Sequence, residues 1–184
     1  MRPANDRAVN GQRGFTLIDL LFVIALVGLL STLAIPGLMR ARGAAHSASA
    51  LGTMRVVNSA QLGFAITCGL GFYAPDFPAL TRRPAGAVDA FLPPDLGGGP
   101  AFVKSGYNFG MAGLTVDAAP ASCNGLPPGE TVSGYAIVAD QLDAPPGRGR
   151  YFATNADGVI YEHTSSFRDT MPVSGPPPAG SPLQ

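Results

Sequence analysis

The chain has 184 residues, of which 12 are basic and 12 acidic, so its formal net charge is zero. That length leaves room for one modest soluble domain beside a membrane segment, and not for two. Balanced charge excludes the basic surface of a dedicated nucleic-acid-binding protein, so no specific nucleic-acid partner is expected. With 24 glycines and 18 prolines, the soluble part should be rich in loops.

The N-terminal region changes character at Phe15. Residues 1–14, MRPANDRAVNGQRG, are polar and basic without apolar periodicity, and we expect them to be a leader with no structure of its own. An apolar run of 21 residues follows, from Phe15 to Ile35, and Asp19 is its one charge. A run of this length can cross a bilayer as a helix of about 20 residues. The sequence therefore predicts a transmembrane helix at 15–35.

Asp19 is the unusual feature of this run. A charge in a hydrophobic span costs roughly 2.5 to 3.5 kcal/mol on insertion scales, so such groups are usually paired or functional. The nearest basic side chains along the chain are Arg13 and Arg40. Cleavage between Gly14 and Phe15 would create a new α-amino group one helical turn before the carboxylate. That amine could pair with Asp19 in the same chain or in a neighbouring copy.

The residues around this junction form a pattern. The pattern consists of a basic leader ending in Arg13-Gly14, then Phe15-Thr16-Leu17-Ile18, Asp19, Leu20-Leu21, and Pro36 after the apolar run. Over about the first 40 residues, the chain resembles the type IV pilins and the type II secretion pseudopilins. The resemblance implies that a prepilin peptidase and methyltransferase cleaves after Gly14 and N-methylates Phe15. It also implies that the helices pack into a filament core, where Asp19, at a position where the family usually has Glu, faces a neighbour's terminal amine.

Two other interpretations of the segment remain open. A secretory signal peptide has a shorter apolar region and a small-residue cleavage site, whereas this run is long and followed by Ile35-Pro36-Gly37. An ordinary single-pass anchor fits the apolar length and leaves Asp19 unexplained. Basic residues do not settle the orientation, because three arginines lie close to the span on each side. With the resemblance, we expect an inner-membrane subunit with a periplasmic head, which then enters a pilus or pseudopilus.

The helix is predicted to extend over 15–66. A bend or soft point is expected near Thr32 to Gly37, because Pro36 removes one backbone hydrogen bond and kinks the helix. After that point the apolar residues form a wide stripe. One side of the stripe carries Leu51, Met54, Leu62, Ala65 and Ile66, and the neighbouring side carries Val57, Ala60 and Phe64. Such width suits a helix covered by its own head and by other subunits, or a helix sunk deep in its domain.

The remaining chain is predicted to be a globular head at 67–170. A loop-rich connector from Phe72 to Gly99 should be pinned to the head by its aromatic residues. Strand patterns follow, bounded by turn residues, at 104–111, 133–139, 151–154 and 159–163, the last two joined by the loop Asn155-Ala156-Asp157-Gly158. Three or four antiparallel strands would pack on the helix, which gives a pilin-like α+β fold. The proline-rich segment 171–184 is predicted to be an unfolded tail.

The two cysteines, Cys68 and Cys123, both follow the apolar run. In an exported domain such a pair indicates a disulfide. Closing a loop of 55 residues would contribute roughly 4 kcal/mol in the chain-entropy model. A two-cysteine metal site is the alternative, although neither cysteine has a second ligand at C-x-x-C spacing.

No pattern of a catalytic site or of a bound metal stands out. There is no Walker, dinucleotide or zinc motif, so we expect neither enzymatic activity nor a metal or other cofactor. Glu162, His163, Ser165 and Ser166 are residue types found in hydrolases, and His46 and His163 are expected at the surface. Some major pseudopilins bind calcium, and a calcium site formed by acidic residues is the less favoured alternative. Those residues are Asp140, Asp143, Asp157, Glu162 and Asp169.

The sequence thus predicts a structural subunit that is cleaved, methylated and polymerised through its apolar helix into a type IV pilus-like filament. Its expected partners are the prepilin peptidase and methyltransferase, the inner membrane, further copies of itself and other pilins. The first alternative stays in the same family and is a type II secretion pseudopilin, or a minor pilin that binds DNA or a surface. The second is a membrane-anchored periplasmic binding domain that does not polymerise.

Overall fold

The computed structural model describes residues 14–144, 147 and 149–183, so most of the predicted leader lies outside the described residues. The chain divides into two compact units, Met1–Gly43 and Ala44–Gln184. Two α-helices, one short 3-10 helix and six strands are present in the described part. They are α1 (Leu17–Thr67), α2 (Phe77–Thr81), the 3-10 helix Pro94–Leu96, β1 (Ala101–Lys104), β2 (Tyr107–Thr115), β3 (Val132–Gln141), β4 (Tyr151–Asn155), β5 (Ile160–His163) and β6 (Ser181–Leu183).

Helix α1 spans 51 residues, which agrees closely with the predicted range 15–66. Pro36 lies inside it and removes the N–H that would bond to the carbonyl of Thr32. The helix nevertheless continues through this point. In so long a helix the intact hydrogen bonds on both sides keep the flanking turns helical. A bend of the axis at Pro36 stays a prediction.

In the second unit, the later part of α1 packs against the sheet. Its buried face carries Met54, Val57, Gln61 and Phe64, which are spaced by three or four residues and are all fully buried. The opposite sheet residues Phe109, Ile137 and Phe152 complete this core.

The head covers only part of the predicted apolar stripe, so the helix is not sunk deep in its domain. Leu62 and Ile66 are 56% and 72% exposed, respectively. They lie on the far side of the helix, because the face through Gln61 and Phe64 is the one that meets the sheet. Of the predicted residues, Met54, Val57, Ala60, Phe64 and Ala65 are buried and Leu51 is partly buried.

The sheet has six strands in the order β1-β2-β3-β4-β5-β6, all neighbours antiparallel, rather than three or four. One reason is that the predicted strand 104–111 is a hairpin. Ser105 and Gly106 form its two-residue turn, with φ values of 50° and 75°. Positive φ at both central positions is the geometry that suits a tight hairpin between twisted strands. The predicted hairpin loop after β4 is present, and Gly158 has a φ of 77° there.

The C-terminal segment is ordered, contrary to the predicted unfolded tail. Residues 164–180, called the strap below, pack on the sheet face opposite α1, and β6 then pairs with β5. The Asn155 amide donates to the carbonyls of Pro172 (3.1 Å) and Gly175 (2.7 Å). Phe167, itself a strap residue, is buried against the sheet. Because these contacts are tertiary, the local proline-rich composition gave no sign of them.

The predicted disulfide is present in the head. Cys68 and Cys123 are bonded, with their Cα atoms 4.8 Å apart, and the Cys123 N–H donates to the Cys68 carbonyl at 3.2 Å. The bond ties the end of α1 to the loop between β2 and β3. Apolar residues also pin the connector, as predicted, because Phe77, Leu80 and Leu92 are fully buried.

Candidate functional site: the N-terminal end of helix α1

The beginning of α1 is organised by Thr16 and Asp19. The Thr16 N–H donates to Asp19 Oδ2 at 3.1 Å, and the Thr16 hydroxyl donates to the same oxygen at 2.5 Å. In return, the Asp19 N–H lies 3.3 Å from Thr16 Oγ1. The Thr16 carbonyl accepts the first helical bond, from the Leu20 N–H at 3.4 Å. Thr16 is therefore the residue that caps the helix.

This reciprocal arrangement is a capping box, in which the first and fourth residues satisfy each other's free backbone donors. A carboxylate in the first turn also interacts favourably with the positive end of the helix dipole. From the sequence, Asp19 is expected to pair with a terminal amine, and Thr16 is given no capping role. The signal was available, since Thr-x-x-Asp before an apolar run is a known sequence pattern for a helix start.

The cap uses only one oxygen of the carboxylate. Both hydrogen bonds from Thr16 end on Oδ2, and Oδ1 accepts none from residues 14–144, 147 or 149–183. Capping therefore leaves half of the carboxylate available to another donor. Gly14 precedes the helix, and a Cβ at that position would have no atom within 4 Å.

The helix after Asp19 is apolar on all sides. Its large apolar residues between Leu20 and Met39 are between 44% and 75% exposed. The polar side chains within this stretch bond to the helix itself: Ser31 donates to the Val27 carbonyl at 2.8 Å and Thr32 to the Leu29 carbonyl at 2.7 Å. No part of its most apolar window is buried in the described chain. The helix is long and apolar enough to span a membrane.

The structure separates the acidic residues considered for calcium. Asp140 accepts from Arg168 and Ser166, Glu162 pairs with Arg150, and Asp157 accepts from the Gly175 N–H. These three carboxylates thus each have a partner of their own. Within the described ranges, no three or more His, Cys, Asp or Glu side chains are grouped so as to hold a metal.

The hydrolase-type residues after β5 do not form a triad. His163 Nδ1 lies 2.7 Å from Ser165 Oγ and also accepts from the Ser165 N–H at 3.2 Å, which is a local turn contact. Glu162 is engaged by Arg150 and Ser166 by Asp140. The group that would orient a catalytic imidazole is therefore not supplied by these neighbours. Absence of enzymatic activity stays a prediction.

The geometry defines an α+β protein of pilin-like architecture, with one long N-terminal apolar helix and an antiparallel sheet. Comparisons with protein-family models, curated protein sequences and solved structures gave no match to this chain.

Proposed function

We propose that the chain is a structural subunit of a type IV pilus-like filament. In this proposal the leader is removed after Gly14, Phe15 is N-methylated, and the subunits assemble through the first part of α1. One observation carries the proposal. An exposed apolar helix bears a single carboxylate one turn after the predicted cleavage point, and one oxygen of that carboxylate has no donor among the described residues.

The physical basis of assembly would be the burial of the apolar helix against other helices after it leaves the lipid. A carboxylate in such a dry environment needs a donor, because burying an unpaired charge is very costly. The α-amine of Phe15 in a neighbouring copy would supply it at Asp19 Oδ1. Since the attraction of a buried ion pair is offset by desolvation, the pair would chiefly fix the axial register of the subunits.

The capping box gives Thr16 a part in this proposal. By holding Oδ2, it restricts the rotation of the short Asp19 side chain while leaving Oδ1 without a donor among the described residues. A fixed acceptor loses less side-chain entropy on pairing than a free one. This effect would compensate for the methylene by which Asp is shorter than Glu.

A pseudopilin of a type II secretion system would use the same assembly and differ in the machine it serves. A non-polymerising membrane-anchored binding domain would keep the helix in the bilayer. Once the leader is removed, the sequence has 9 basic and 11 acidic residues, since Arg2, Arg7, Arg13 and Asp6 are lost from 12 of each. The resulting slight negative charge gives no support to a nucleic-acid ligand for the head.

Shearing of cells followed by pelleting tests the proposal. We expect the mature chain in the sheared, pelletable fraction in the presence of the prepilin peptidase, and only in the membrane fraction without it. Recovery of the chain solely from membranes in both strains would favour the anchored domain. Secretion defects of a deletion strain that makes no surface fibres would favour the pseudopilin.

A further inference from the structure

The sheet face opposite α1 is covered over only part of its width. The strap residues Phe167 and Met171 pack on Val138 and Ala153, in β3 and β4. Val173 approaches Gly134 so closely that a Cβ there would lie 3.3 Å from it. Over β1 and β2 the strap contributes only Arg168, which lies close to Gly110, and a groove of about 310 Å³ lies beside the strap.

The floor of this groove is made of small apolar residues. Gly110 pairs with Ala101 on one side and Val138 on the other, and Ala112 pairs with Ala136. Pro100 and the strap residues Arg168, Met171 and Val173 form the walls. The open face of an antiparallel sheet normally carries polar side chains. Here the same apolar surface continues from the covered half into the open half.

Arg168 adds one polar feature to the groove. Its Nε and Nη2 atoms donate to Asp140 Oδ2 at 3.2 and 2.8 Å. Nη1 makes no hydrogen bond to the described residues and lies 3.7 Å from the position of a Cβ on Gly110. The Asp140 side chain is only 16% exposed, so the guanidinium is the more accessible charge. The groove is thus complementary to an apolar group with a carboxylate close to it.

The chain itself presents such a group. Val88 is 82% exposed, more than any other large apolar side chain of the second unit, and Asp89 follows it. A turn closed by the Ala87 N–H and the Pro84 carbonyl at 3.1 Å precedes Val88, and Gly86 in that turn has a φ of 82°. The loop is therefore a shaped projection. Leu142-Asp143 is a second such pair, with Leu142 51% exposed.

We propose that the loop 84–90 of one copy docks in this groove of another, with Val88 on the small-residue floor and Asp89 at Nη1 of Arg168. The inference rests on the proposed filament and names a contact between its heads. Because the loop and the groove are different surfaces, the contact is heterologous. Such contacts propagate into open helical polymers instead of closing as a symmetric dimer.

Two single-cysteine variants test the contact directly. Val88→Cys and Ala112→Cys, both at exposed positions, are coexpressed, and sheared filaments are oxidised and run on a non-reducing gel. We expect a crosslinked dimer from this pair, since a disulfide needs Cβ atoms about 3.5 to 4.5 Å apart. Leu142→Cys with Ala112→Cys is the matched control, and we expect no dimer from it. The native disulfide stays intact in all three variants.

The outcomes distinguish the contact from the filament itself. Filaments that form normally but give no dimer with Val88→Cys would overturn the contact and leave the filament proposal standing. A dimer with Leu142→Cys instead would show that the other loop is the occupant. Failure of the unmodified chain to form filaments would overturn both. An equal amount of crosslinked dimer in membranes before assembly would show that the contact does not depend on the filament, which would also overturn the proposal.

A filling variant gives an independent readout. A Cβ on Gly110 would make only ordinary contacts, the nearest at 3.5 Å, so Gly110→Leu should extend into the groove without disturbing the core. Val88→Ser removes the inserted group from a side chain that is already exposed. Burial of a valine corresponds to roughly a tenfold change in an association constant. We expect both variants to raise the concentration needed for assembly about tenfold with unchanged melting temperature, and an unchanged assembly concentration would overturn the contact.

Discussion

The two units of this chain share one helix and use it in opposite ways. In the first unit the apolar side chains of α1 are exposed, and the hydroxyls of Thr16, Ser31 and Thr32 bond within the helix itself. In the second unit the apolar face is fully buried and polar side chains make tertiary contacts, as when Gln61 bonds both backbone groups of Ala74 at 2.9 Å. Only the second unit is therefore complete as a folded domain. The first unit has apolar surface that needs a lipid or protein partner.

The largest effect is expected from substitution of Asp19, which should act on assembly through the first unit. Asp19→Ala should leave processing and membrane insertion intact, abolish recovery of sheared filaments, and leave the melting temperature of the head unchanged. Asp19→Glu should be tolerated. Thr16→Val is the matched control, because it removes the hydroxyl of the cap and keeps the carboxylate.

Pelleting of sheared filaments gives the result for all three variants. We expect Thr16→Val to assemble at reduced yield. Loss of assembly in Thr16→Val as complete as in Asp19→Ala would mean that Asp19 acts only as a helix cap. Normal yield from Asp19→Ala would contradict the charge pairing altogether.

On the side of the second unit, Phe64→Ala should have the largest effect on stability. Phe64 is fully buried and contacts Phe91 edge-on, with ring centroids 5.4 Å apart. Truncation of a buried Phe costs about 3 to 5 kcal/mol. Leu62→Ala, two residues away and 56% exposed, should change the free energy of unfolding by less than about 0.5 kcal/mol. Denaturant unfolding of both variants measures the difference. Similar losses of unfolding free energy would show that the helix face carrying Leu62 is covered in the isolated chain.

The disulfide should contribute nearly as much. Replacing Cys68 and Cys123 by Ser removes a link across a separation of 55 residues, which the chain-entropy model values at roughly 4 kcal/mol. We expect a correspondingly lower denaturation midpoint in the double variant, and the same lowering in the unmodified chain with a reductant. Membrane insertion of the first unit should be unaffected. A midpoint unchanged by reduction would contradict this role.

A smaller, pH-dependent effect is expected from two tyrosines of the core. Burial raises the pKa of Tyr135 and, more weakly, that of Tyr107, whose hydroxyl lies 3.0 Å from Ser47 Oγ. In the unfolded chain both would lose their protons near the ordinary pKa of 10.0. The unfolded state therefore binds fewer protons above that pH, and stability should fall as pH rises through this range. The free energy of unfolding, measured from pH 8 to about 11, should decline less steeply in Tyr135→Phe than in the unmodified chain. An identical decline in the two chains would contradict this contribution of Tyr135.

Part of the fold could be predicted because it depends on local pattern. Local pattern predicted the length and composition of α1, the disulfide and the hairpin at Gly158. The strap was not, because its order comes from the Asn155 and Asp157 side chains, which lie far from it in sequence. The buried face of α1 was ambiguous, since Leu62 is as apolar as Val57 and only the sheet decides between them. At the candidate site, cleavage at Gly14-Phe15 and pairing at Asp19 stay predictions, whereas the capping role of Thr16 was missed because the same residues were interpreted as part of a membrane span.

The most direct test of leader removal after Gly14 is the chemical state of the first residue of the mature chain. Filament subunits released by shearing would be analysed by intact-mass and N-terminal peptide mass spectrometry. The proposal predicts a chain that begins at Phe15 and is heavier than the unmodified chain from Phe15 by one CH2, because a methyl group replaces an amine hydrogen. A chain that still begins at Met1, or one cut at Ala34 or later, would contradict it.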